Sequence, residues 1–218
     1  MKHQPVETTV FSLDKAPPKR RRPRPERHLT LYRVGALTVA GRRELCLIKN
    51  VSAGGMLIRA YSEIPVGTHI SIELKHHETV CGTVQWVDND SVGICFDRPI
   101  DVISLISLPT EGPRPRMPRI EVDCMATVRD GSTVMKAKAI NISQGGLRVE
   151  SWSDLTIGSN VVVSLHGLTP EAAQVKWRDG DHYGLVFNRT LSITQLVAWL
   201  QRWQQAHVAK GRSGRSVA

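Results

Sequence analysis

The 218-residue sequence predicts a protein of the all-β class: two tandem six-stranded antiparallel β-barrels, with a C-terminal α-helix and a shorter helix after the first barrel. Three observations lead there. A long block of sequence recurs at a fixed offset, each copy breaks into about six short apolar or alternating runs, and helical periodicity is confined to the segments that close the copies.

The repeat is clearest at Asn50-Val51-Ser52-Ala53-Gly54-Gly55 and Asn141-Ile142-Ser143-Gln144-Gly145-Gly146, 91 residues apart. The same offset carries Gly67 onto Gly158, Leu74 onto Leu165, Val84 onto Val175, Trp86 onto Trp177, Gly93 onto Gly184 and Phe96 onto Phe187, without a gap over 47 positions, 13 of them identical. Identity at this level over an ungapped block marks a duplicated domain. Upstream, Arg22-Pro23-Arg24-Pro25-Glu26-Arg27 matches Arg114-Pro115-Arg116-Met117-Pro118-Arg119 at an offset of 92, so each copy opens with arginines.

In the first copy the strand-like runs are Leu29 to Val39, Leu45 to Lys49, Gly55 to Ala60, His69 to Leu74, Thr79 to Val87 and Val92 to Phe96. Their counterparts begin at Ile120, Lys136, Leu147, Asn160, Ala172 and Tyr183. Turn residues separate them, such as Asp88-Asn89-Asp90 and Arg129-Asp130-Gly131-Ser132. Closing six short strands into a barrel removes their edges. Helical spacing appears from Ser192 to about His207, where Ser192 and Gln195 suggest a capping box and Ile193, Leu196, Val197, Leu200 and Trp203 share a face. A shorter version spans Ile100 to Leu108. The apolar face is expected to pack on its own barrel, the alternative being a docking face for a partner helix.

These features divide the chain into a basic tail (1–19), a first barrel (20–108), a linker (109–113) within the proline-rich stretch Pro109 to Pro118, a second barrel with its helix (114–207), and a second basic tail (208–218). The tails are polar, Pro-rich or Gly/Ser-rich and are expected to be disordered on their own; the linker is expected to be extended and stiff.

Charge excludes one class of function. The net charge of +9 divides into +5 over residues 1–27 and +4 over residues 202–218, leaving 28–201 neutral. A duplex-binding domain spreads Lys/Arg over a folded face, so no specific nucleic acid is expected as partner. No apolar run reaches the roughly 18 to 20 residues of a membrane span, and the start lacks a secretory apolar core; the expected compartment is the cytoplasm. Cys46, Cys81, Cys95 and Cys124 have no metal-ligand spacing, and His76-His77 suggests an exposed loop pair, so neither a metal nor a cofactor is expected. There is no G-x-S-x-G elbow, Walker loop or H-E-x-x-H pair, so no catalytic residue and no enzyme activity are expected. Asp88, Asp90, Asp179 and Asp181 recur as hairpin formers, and Trp86 and Trp177, in alternating strands, are expected in the barrel cores.

Arginines followed by Asn-x-Ser-x-x-Gly, a Trp and a Gly-x-x-Phe strand resemble the PilZ family, twice and over nearly the whole folded chain. The resemblance implies a six-stranded barrel with a C-terminal helix that binds cyclic di-GMP, a bacterial second messenger. It assigns ligand contacts to Arg20, Arg22, Arg24, Arg27, Asn50, Ser52 and Gly55 in the first repeat, and to Arg114, Arg116, Arg119, Asn141, Ser143 and Gly146 in the second. The residue types suit that ligand. Arginine can fork onto a phosphate or the O6/N7 edge of guanine and stack on the ring. Asparagine and serine supply small donors and acceptors, and glycine permits close backbone approach or a positive φ. The arginine spacing departs from the family's R-x-x-x-R: Arg114, Arg116 and Arg119 are separated by two, three and five, and the usual four occurs in repeat one between Arg20 and Arg24. The function expected is a cyclic di-GMP receptor acting on an unidentified downstream protein. The competing expectation is a degenerate PilZ pair serving as an interaction scaffold in motility, pilus or envelope machinery.

Overall fold

Within each repeat the alternation of apolar residues closes on itself. A computed structural model describes residues 29–75, 78–102 and 117–213. In the first repeat the strands are β1 (Leu29–Val39), β2 (Arg42–Ser52), β3 (Gly55–Arg59), β4 (His69–Lys75), β5 (Glu78–Asp88) and β6 (Ser91–Phe96). In the second they are β7 (Ile120–Asp130), β8 (Thr133–Ser143), β9 (Gly146–Ser151), β10 (Asn160–Leu165), β11 (Glu171–Asp179) and β12 (His182–Phe187), followed by helix α1 (Ile193–Ser213). Each set forms a closed antiparallel barrel, in the order β1-β2-β3-β6-β5-β4 and its copy β7-β8-β9-β12-β11-β10, with β4 returning to β1 and β10 to β7.

The expected strands are present, and β2 outruns its expected bounds at both ends. Asn50 and Ser52 are strand residues and Gly55 starts the next strand, so only Ala53-Gly54 turns. Period-two alternation sends Met56 and Ile58 inward while Leu57 stays half-buried on the outside. The first interior is filled by Ile48, Ile58, Ile70, Ile72 and Val84, the second by Val128, Ile142, Val149, Val175 and Leu185, all at most 2% exposed. Burying each such side chain contributes about 1.5 to 3 kcal/mol. The hairpin aspartates end β5 and β11, where Asn89 (φ 53°) and Gly180 (φ 59°) take the left-handed backbone that turns the chain.

Helix α1 begins where the capping signal placed it: the Gln195 backbone N–H donates to Ser192 Oγ at 3.1 Å. It runs to Ser213, beyond the expected His207. Leu196, Val197 and Leu200 are buried as expected, and Trp199, outside the expected stripe, is buried too, its Nε1 donating to the His166 carbonyl at 2.9 Å. The helix packs on the second barrel and also reaches the first, with Gln201 Nε2 donating to the Tyr61 carbonyl at 2.7 Å. Leu45 of β2 belongs to the second barrel's core, and Arg43 Nε donates to the Arg119 carbonyl at 3.2 Å. The barrels thus share packing.

No helix among the described residues is long and apolar enough to cross a membrane. The short helix expected over Ile100 to Leu108 lies outside the described residues beyond Val102, as do the linker, both expected tails except the start of the C-terminal one, and His76-His77.

Candidate functional site

The asparagine of the Asn-x-Ser-x-x-Gly hairpin belongs to a row of paired residues that crosses each barrel. In the second barrel the paired registers read Glu121 (β7) opposite Asn141 (β8), Asn141 opposite Arg148 (β9), Arg148 opposite Gly184 (β12), and Gly184 opposite Trp177 (β11). In the first barrel the same row is Thr30, Asn50, Leu57, Gly93 and Trp86.

Two bulges build this row. Cys46 and Ile48 point inward, and strict alternation would turn Asn50 inward as well. The extra residue Lys49, between the Ile48–Ile58 and Asn50–Leu57 pairs, restores Asn50 to the outside. Gln85 does the same between Val84–Ile94 and Trp86–Gly93, so a tryptophan that alternation assigns to the core is turned out. The second barrel repeats both devices with Ile140 and Lys176 as the extra residues. This corrects the core expectation for the tryptophans: Trp86 is 37% exposed and Trp177 half-buried. Each ring lies against the glycine opposite. A Cβ on Gly93 would come within 2.1 Å of the Trp86 ring, and one on Gly184 within 2.0 Å of Trp177 Nε1, so only glycine lets the ring lie flat across the next strand.

The hairpin itself is self-supporting. Ser52 Oγ donates to the Gly55 carbonyl at 3.1 Å and Ser143 Oγ to the Gly146 carbonyl at 3.3 Å. The predicted serines therefore brace the turn, with hydroxyl lone pairs left for a ligand. Gly55 and Gly146 let two strands approach closely, since a Cβ would lie 2.3 Å from the carbonyl oxygen of Ile94 or Leu185 on the neighbouring strand, and neither has the positive φ that was the other expectation.

The two faces differ in chemistry. In the first barrel, Asn50, Ser52, Leu57, Gln85, Trp86 and Cys95 line a groove of about 400 Å³, within the range of small-ligand sites. In the second, Asn141 is 8% exposed, donates from Nδ2 to Glu121 Oε1 at 3.5 Å, and keeps Oδ1 buried without a hydrogen-bond partner. The Arg148 guanidinium carbon stands 5.9 Å from the centre of the Trp177 ring, a cation–π contact, with Nε likewise buried and unpartnered.

Of the residues predicted from sequence, Asn50, Ser52 and Gly55 come together on one face, as do Asn141, Ser143 and Gly146. Arg119 is half-buried just before β7, its carbonyl engaged by Arg43. Arg20, Arg22, Arg24, Arg27, Arg114 and Arg116 lie outside the described residues. Sequence reasoning missed Arg148, Lys176, Glu121 and the outward tryptophans. The internal alignment held the signal for two of them, since it sets Arg148 on Leu57 and Lys176 on Gln85.

Similar solved structures include the Borreliella burgdorferi PlzA protein in complex with c-di-GMP (10% identity, covering 77% of this chain and 86% of that one, TM-score 0.32). They also include YcgR from Escherichia coli in complex with c-di-GMP (14%, 84% and 86%, TM-score 0.28) and the Bacillus subtilis inhibitor of motility MotI/DgrA (14%, 86% and 100%, TM-score 0.31). No curated protein matches the sequence significantly. The model of the PilZ domain matches twice, at residues 18–108 and 113–203, which together span most of the sequence. The chain belongs to the PilZ domain family, as a tandem pair.

Proposed function

We propose that the chain is a cytoplasmic receptor for cyclic di-GMP, without catalytic activity, that passes messenger level to a downstream protein. The observation that carries this is the twice-built outer face: a braced Asn-x-Ser-x-x-Gly hairpin on β2–β3 and β8–β9, facing a tryptophan that a bulge has turned out of the core. A ligand with two guanines and two phosphodiesters needs a flat apolar surface, small polar groups and forked cations. The face supplies the first two, and the arginine-rich segments before β1 and β7 lie close enough in sequence to supply the third. The neutral charge of residues 28–201 argues against a nucleic-acid surface.

Transmission follows from the contact between barrels. Arg119 ends the second arginine segment and its carbonyl is held by Arg43 of the first barrel, so a ligand gripping that segment acts on the junction itself. A ligand shifts such an arrangement only by its differential affinity for the two states. The scaffold reading draws support from the first barrel alone, whose Leu57-Trp86 groove is apolar and could seat a protein side chain. Calorimetry with cyclic di-GMP on the full chain tests the receptor reading. One or two ligands per chain are expected, and absence of heat at high micromolar ligand would leave the scaffold.

A further inference from the structure

The outer faces of the two barrels share registers and bulges, and differ in the residues that occupy equivalent positions. At the position opposite the asparagine, the first barrel has Leu57 and the second has Arg148. At the bulge residue beside the tryptophan, the first has Gln85 and the second Lys176. Glu121 stands where the first barrel has Thr30. Two cations and one carboxylate therefore replace three neutral residues on the row or at the bulge beside it.

We propose that the second barrel is the tighter of two cyclic di-GMP sites, and that Arg148, with Lys176 beside it, is the ligand-contacting cation responsible. This rests on the receptor reading above. Arg148 lies over Trp177 and buries its Nε without a partner, and the facing Asn141 buries Oδ1 in the same condition. Unpaired buried groups of this kind carry a desolvation cost that a partner removes. Both occur on directly opposed residues of a face whose counterpart has a leucine. A planar ligand bound there gives each a role: when Arg148 swings off the ring its fork meets a phosphodiester or the O6/N7 edge of guanine, and Trp177 is freed as a stacking surface. Asn141 is uncovered by the same movement. The exposed Lys176 adds a point charge next to the ring, and Glu121 is an acceptor for the amino edge of guanine.

A structural role for Arg148, as a cap on Trp177 and nothing more, makes a different prediction. The test is a reciprocal exchange read by isothermal titration calorimetry with cyclic di-GMP on the full chain. Asn50→Ala and Asn141→Ala assign each binding event to its barrel, and circular dichroism verifies the fold. Arg148→Leu installs the residue that the first barrel already accommodates at this register, so folding is expected to survive. It should weaken the event lost in Asn141→Ala by about tenfold to a hundredfold, the range of a charge-assisted hydrogen bond. Leu57→Arg should strengthen the event lost in Asn50→Ala or create one. Unchanged binding in Arg148→Leu, or tighter binding at the first barrel of the wild type, would overturn the proposal while leaving the receptor reading intact. Absence of any heat from the wild type would overturn both.

Discussion

The two barrels share one topology and differ in the side chains it carries, and the sharpest contrast lies away from the candidate face. Leu45 in β2 and Lys136 in β8 occupy the same register, opposite Ala36 and Thr127. Lys136 is exposed and bonds Thr127, whereas Leu45 is 3% exposed and packs into the other barrel's core. A similar split separates Tyr61, which packs against the second barrel's core cluster and whose carbonyl accepts from Gln201, from its repeat partner Trp152, 66% exposed. Duplication supplied two equal surfaces, and a few side chains turned one into an interface.

The largest way to break this asymmetry is Leu45→Lys, which gives the first barrel the second's residue. Large-to-small or charged replacement at such a site costs about 2 to 5 kcal/mol, here drawn from the contact between barrels. Differential scanning calorimetry should separate the transitions of the two barrels more widely than in the wild type. An unchanged profile would mean that the junction is not stabilised by Leu45.

A smaller effect tests what the barrels keep in common. Gly55→Ala and Gly146→Ala each place a Cβ 2.3 Å from a neighbouring carbonyl oxygen, and the backbone must part to admit it. Overpacking of this kind costs about 1 to 3 kcal/mol. Because the two distances agree, chemical denaturation should give equal losses. A variant tolerated in one barrel only would show that the hairpins are less alike than their registers.

Much of this was legible in the sequence, and the parts that were not have a common cause. The repeat, the strand runs and the Ser192 cap depend on local pattern, which the chain writes out directly. The outward tryptophans depend on an extra residue in one strand, Gln85 or Lys176, and period-two counting runs straight past it. Arg148 escaped because its importance comes from what lies opposite, Asn141 on one side and Gly184 then Trp177 on the other. Leu45 escaped because a buried leucine on an alternating strand looks like core whichever barrel it serves. The hairpin residues were found because they are close in sequence as well as in space.

The serines sharpen the comparison by a subtler difference. Ser143 is 5% exposed and Ser52 half-buried, although each bonds the same glycine carbonyl. Removing such a bond costs about 0.5 to 1.5 kcal/mol, and more where the acceptor left behind is sealed from water. Ser143→Ala should therefore lower the denaturation midpoint more than Ser52→Ala, with ligand affinity falling in both. Equal midpoints would indicate that water reaches both carbonyls alike.

The mildest test leaves the sequence untouched and uses its own thiols as reporters. All four cysteines are free; Cys81 and Cys95 are exposed, Cys46 is buried in the first barrel and Cys124 half-buried in the second. Burial pushes the Cys46 thiol up to about 12, against a backbone hydrogen bond from Gly35 that lowers it. Burial, reinforced by the charge of Asp123, pushes Cys124 up to about 11. Since the thiolate is the reactive form, at pH 8 Cys124 presents about a hundredfold less of it than a thiol at the ordinary value near 9, and Cys46 less still. A thiol whose folded value is raised stabilises the fold fully below pH 9, and that contribution is lost as pH rises from about 9 towards 11 and 12. At pH 8 a thiol reagent should label Cys81 and Cys95 quickly and reach Cys46 and Cys124 mainly through opening of their own barrels. Ligand binding stabilises the barrel that holds it according to RT ln(1 + [L]/Kd). With cyclic di-GMP present, mass spectrometry of the labelled chain should show Cys124 protected at lower ligand concentration than Cys46. Protection of Cys46 first would reverse the ranking of the two sites, and simultaneous protection of both would mean that the barrels open as one unit through the Leu45 contact.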